Sequence, residues 1–134
     1  MTMKRMTKGD QAQAWGVFSP VGHLVIAFPD DAAAEAAARA LHEEGFPNED
    51  ILQYSANEES QQMARMLDGI TGTAEFGHEV VLMRKYKELA DQGCGWLVVY
   101  APEKERCEKV VETAKRYSAL LAEKYHRMVV EDLL

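Results

Sequence analysis

The stretch AEFGHE places Glu75 and His78 three residues apart. On a helix that spacing puts both side chains on one face, where they could reach a single metal ion. Di-iron carboxylate bundles use two such Glu-x-x-His pairs and two further glutamates. This chain has one such pair, with Gly77 inside it, and a dimer would have to supply the second. Glu75 and His78 are therefore the candidate metal ligands. The plain alternative is an exposed helix start with an acid in its first turn.

Other reactive residue types are scattered. The run GITGTAEFG, residues 70–77 and its preceding Gly69, contains neither GxGxxG nor GxxxxGK[ST]. It does not follow an obvious strand, so it reads as a joint between helices and not as a phosphate cradle. His42 stands near a helix end, where positive charge is welcome, and His126 begins a strand. Cys94 lies between glycines in GCGW with no basic neighbour in sequence to lower its pKa. Cys107 falls on the apolar face of a helix and reads as a core thiol. No serine or cysteine shows a base and an acid arranged around it, although such partners need not be close in sequence. No catalytic residue and no cofactor is expected.

Composition narrows the function further. The chain of 134 residues is 47% hydrophobic and 28% charged, with a net charge of -7. That length and balance suit one globular domain over residues 1–134. The acidic balance argues against a nucleic-acid partner, which needs a basic field. No segment approaches the roughly 20 apolar residues of a membrane span. Two unpaired cysteines and no apolar leader predict a cytoplasmic protein.

The elements that must position these residues come from a repeat. HLVIAFPDD, from His23, is echoed by WLVVYAPEK, from Trp96. Each apolar run is short and rich in β-branched and aromatic residues, as a buried strand is. Pro29 and Pro102 end the strands. Asp30, Asp31 and Glu103 then favour a helix N-terminus. The spacing predicts one helix over 31–44, with Ala33, Ala36, Ala37, Ala40 and Leu41 inward and Gly45 as its stop. It predicts a second over 103–124, with Cys107, Val110, Val111, Ala114, Tyr117, Ser118 and Leu121 inward. Strands follow each helix, at 51–56 and 126–133.

Two strand–helix–strand units in tandem imply an α+β fold. The expected form is a ferredoxin-like sandwich with strand order 4-1-3-2, the apolar strands central and the mixed ones at the edges. A small doubly wound parallel sheet is the alternative. Residues 57–93 are too long for a hairpin loop and read as a helical insertion between the repeats. Its first helix opens on a capping box, Ser55 with Glu58 three on. Residues 1–20 read as a flexible N-terminal segment.

Both faces of each central strand are apolar. Two helices explain one face. The other would carry Val25, Val98, Trp96 and Tyr100, with His23 at its margin, and cannot stay wet. Either the inserted helices fold over it or a second subunit does, and a homodimer through this face is the expectation. His23, Trp96 and Tyr100 are the candidate ligand-binding residues.

The first strand–helix–strand also resembles the N-terminal unit of bacterial general-stress-type proteins. The matching positions are Phe28, Glu35, Ala36, Leu41, Gly45, Phe46, Asp50 and Ile51, about a quarter of the chain. They are packing and turn positions, so the resemblance implies a fold and a stress-response setting but no catalytic residue. The resulting expectation is a non-enzymatic protein that acts through dimerisation and a partner or small regulatory ligand. The alternative is a metal-binding protein or small enzyme with a site between the insertion and the sheet.

Overall fold

The two apolar runs form the centre of one sheet. The computed structural model describes residues 21–68, 78–126 and 129–134. β1 (His23–Phe28) pairs with β3 (Gly95–Tyr100), and the strand order is β2-β3-β1-β4-β5. Here β2 is Ile51–Tyr54, β4 is Leu121–Tyr125 and β5 is Val130–Asp132. Every neighbouring pair is antiparallel, which excludes a doubly wound parallel sheet. The four strands of the two repeats lie in the order β4-β1-β3-β2, with β5 added beyond β4.

Alternation along the strands divides the sheet into two faces. Leu24, Ile26, Phe28, Leu97 and Val99 enter one core. Val25, Ala27, Trp96 and Val98 enter the other. The first face is covered by α1 (Asp31–Glu43) and α4 (Lys104–Arg116). α1 presents Ala34, Ala37, Ala38 and Leu41. That face is turned from the expected one, leaving Ala33, Ala36 and Ala40 only half-buried. Asp30 caps α1 by accepting the Ala33 N–H at 2.8 Å.

The second face is covered by the chain itself. α2 (Ala56–Asp68) and α3 (His78–Asp91) lie between β2 and β3 in sequence and pack against each other. They set Met63, Met66, Val80, Leu82, Met83, Tyr86 and Ala90 against the sheet. Trp96 and Val25 are fully buried beneath them. The expectation that a second subunit covers this face is therefore corrected. Each fully buried side chain of this size stabilises by roughly 1.5–3 kcal/mol, and the insertion already secures that burial. The capping box forms as anticipated: Ser55 N–H donates to Glu58 at 2.9 Å, and Glu58 N–H donates to Ser55 Oγ at 3.1 Å. The Ala56 N–H donates to Asp31 Oδ1 at 2.8 Å, which fixes the start of α2 beside the start of α1.

Gly95 serves this junction. A Cβ at position 95 would lie 2.6 Å from the Asp30 carbonyl oxygen and 2.7 Å from Asp31 Cα. Only glycine lets β3 begin so close to the first turn of α1.

The last third of the chain departs from its expected pattern. The helix ends at Arg116, and Ser118 turns the chain at φ 63, in the left-handed region. Residues expected to finish that helix instead form β4. Leu121, Glu123 and Tyr125 face the second layer, while Ala122 and Lys124 face the first. β4 is also no edge: it pairs with β1 on one side and β5 on the other. The final strand is three residues, not eight. Among the described residues, no helix is long and apolar enough to cross a membrane.

Candidate functional site

His23 and Tyr100 are opposite each other in the β1–β3 register, with ring centroids 4.9 Å apart. His23 is 2% exposed, and its Nδ1 lies 3.0 Å from the Val21 carbonyl oxygen. Trp96 is on the same face but pairs with Ala27, four residues along β3 from Tyr100. At strand rise that is roughly 13 Å. The structure thus joins His23 to Tyr100 and sets Trp96 apart. Glu75 lies outside the described residues. His78 opens α3, and its side chain also lies outside them. Among the described residues, no group of three or more His, Cys, Asp or Glu is arranged to hold a metal ion.

Trp96 belongs instead to a buried layer of aromatic and acidic groups between the sheet and the α2–α3 pair. Tyr86 meets it edge-on at 5.3 Å. The Tyr86 and Tyr125 hydroxyls are 2.7 Å apart. Burial, then the Tyr125, Glu123 and Glu59 groups around it, push the Tyr86 phenol far above its ordinary range. Glu59 is fully buried and Glu123 is 6% exposed. Lys85 Nζ approaches Glu123 at 3.9 Å. The Trp96 indole N–H has no acceptor among the described residues. Glu59 and Glu123 give no signal in sequence, because each falls in a stretch that reads as an amphipathic helix, where a glutamate looks solvated.

The other side of the sheet holds an open groove of about 630 Å³. Its lining comes mainly from the helix α4 and the strands β4 and β5. Lys104, Glu108, Glu112 and Lys115 form its helical rim, while Cys107 and Val111 lie deeper. Glu131 on β5 and Leu133 just after it supply the opposite wall. Lys124 projects from β4 into this space and is 8% exposed. Its ammonium donates to the Pro102 carbonyl at 3.3 Å. Among the described residues no carboxylate lies within 4.0 Å of it, although Glu131 is its direct cross-strand neighbour. Glu131 lies 3.0 Å from His126 Nε2 instead.

The two thiols differ in setting. Burial pushes the Cys94 thiol up, with no opposing charge. Burial also pushes the Cys107 thiol up, but the Lys124 ammonium beside it opposes that shift. Both cysteines are free and buried, and Cys107 is the one that reaches the groove.

No protein-family model, curated protein or solved structure matches the chain.

Proposed function

We propose that this protein is a non-enzymatic binding protein for a small organic ligand with an anionic group, held in the groove between α4 and β5. One observation carries the reading. Lys124, a nine-tenths buried residue, lines an open groove with no carboxylate paired to its ammonium among the described residues. Taking a charge out of water is costly unless a counter-charge meets it. A bound carboxylate supplies that charge. The groove volume lies within the range of small-molecule sites. Val111, Leu133 and Pro102 add apolar wall for the rest of the ligand.

The two strand–helix–strand repeats and the order β4-β1-β3-β2 support reading the scaffold as ferredoxin-like, with a helical hairpin in place of a turn. The resemblance to general-stress-type proteins supports a stress-response setting for the binding. A homodimer would need a surface other than the one α2 and α3 close.

A second reading places a small enzyme or metal site in the layer between the inserted helices and the sheet. It is favoured by the burial of Glu59 and Glu123 around the Tyr86 hydroxyl. Elemental analysis of the purified full chain separates the two. Stoichiometric metal lost on Glu59→Gln supports the second reading.

The first reading is tested by thermal unfolding with millimolar isocaproate, a branched monocarboxylate. The midpoint should rise for the natural chain and stay fixed for Lys124→Met. An equal rise in both would overturn the assignment of Lys124.

A further inference from the structure

We infer that the groove takes an apolar α-amino acid, with its carboxylate on Lys124, its ammonium on Glu131 and its side chain against Val111 and Leu133. This inference rests on the groove being an anion-binding site and adds the class of ligand.

Three observations lead to it. Lys124 and Glu131 are Cα partners across β4 and β5, so their side chains leave adjacent points of one sheet face. Opposite charges so placed ordinarily pair, yet here the ammonium turns to the Pro102 carbonyl and the carboxylate to His126. Neighbouring positive and negative ends are therefore presented side by side to the same groove. An α-amino acid carries its carboxylate and ammonium on one carbon, which matches that adjacency.

Charge balance points the same way. The groove is lined by three lysines, 104, 115 and 124, and three glutamates, 108, 112 and 131. A zwitterion leaves that balance at zero. A phosphate dianion would add two negative charges beside three carboxylates in a chain of net charge -7. A lone organic cation would leave the Lys124 ammonium unmet. Val111 and Leu133 give the ligand side chain apolar contacts, which selects an apolar amino acid over an acidic or basic one.

The test is isothermal titration of the full chain with three probes of one shape. L-leucine carries both charges, isocaproate lacks the ammonium, and isoamylamine lacks the carboxylate. Leucine should bind about tenfold or more tightly than isocaproate, as a hydrogen bond to a charged group implies. Isoamylamine should show no binding. Glu131→Gln should reduce leucine affinity to near that of isocaproate, and Lys124→Met should abolish binding of both. Isocaproate binding as tightly as leucine, with no effect of Glu131→Gln, would overturn the zwitterion while leaving the anion site standing. Failure of both leucine and isocaproate to bind at millimolar concentration would overturn the inference and the anion reading together. A far-ultraviolet circular dichroism spectrum and unfolding midpoint for each variant exclude misfolding as the cause of any loss.

Discussion

Lys124 and Glu131 stand directly opposite each other on β4 and β5, and their charges do not meet. The lysine is nine-tenths buried, while its carboxylate neighbour is drawn to His126 3.0 Å away. A chain selected only for stability would close that pair or replace the lysine. A largely buried lysine that lines a groove without a paired carboxylate among the described residues is the feature that points to an anionic ligand.

Replacing that ammonium separates stability from binding. Lys124→Met keeps most of the apolar stem and removes a buried charge. The unliganded midpoint should hold or rise by a few °C, corresponding to about 1 kcal/mol. A functional group that costs stability behaves this way. A drop of several °C in calorimetry would instead mark Lys124 as a structural residue.

Gly95 should be intolerant of any side chain. Gly95→Ala drives a methyl to 2.6 Å from the Asp30 carbonyl, and neither the strand nor the first turn of α1 can give way cheaply. A loss of about 2–3 kcal/mol in urea unfolding is expected, of the size seen for overpacking. A loss under 0.5 kcal/mol would show that the junction yields.

The capping box at the start of α2 carries a smaller load. Ser55→Ala removes the Oγ acceptor of the Glu58 N–H and should cost about 1 kcal/mol in urea unfolding. Retained hydrogen-exchange protection at the first turn of α2 would contradict the assignment.

Tyr86 makes alkaline stability a readout of the covered layer. Its phenol is raised in the folded state, so the native chain holds a proton that the unfolded chain releases above about pH 10. Its contribution is fully present below that pH and is lost as pH rises beyond it, at up to about 1.4 kcal/mol per pH unit. In Tyr86→Phe the decline above pH 10 should be shallower. Identical slopes in chemical unfolding between pH 9 and 11 would show that Tyr86 does not couple to folding.

Much of the scaffold is legible in the sequence. β1 and β3 announce themselves by β-branched runs ended by proline, and the helix pair of the insertion by its capping box and apolar spacing. What covers the second face was not legible, because Met63, Met66 and Tyr86 fit a helix packed on its own sheet as well as one packed on a partner. β4 is hidden because Leu121 continues the spacing begun at Cys107 and Ala122, Glu123 and Lys124 are good helix formers. The left-handed turn that ends α4 falls on Ser118, without the glycine that usually signals it. With residues 121–124 continuing the helical pattern, nothing in the sequence sets Lys124 opposite Glu131 or gives the groove its second wall. His23, Trp96 and Tyr100 share a face, but only the antiparallel register sets His23 beside Tyr100 and Trp96 beside Ala27, and face alternation alone does not reveal it.

The most direct test of the groove is a nuclear magnetic resonance titration of the ¹⁵N-labelled full chain with isocaproate. The account predicts that amide shifts concentrate at Cys107, Val111, Lys124 and Leu133 and vanish in Lys124→Met. Shifts centred on His23, Tyr100 and Tyr86, or a titration in which Lys124→Met responds like the natural chain, would contradict it.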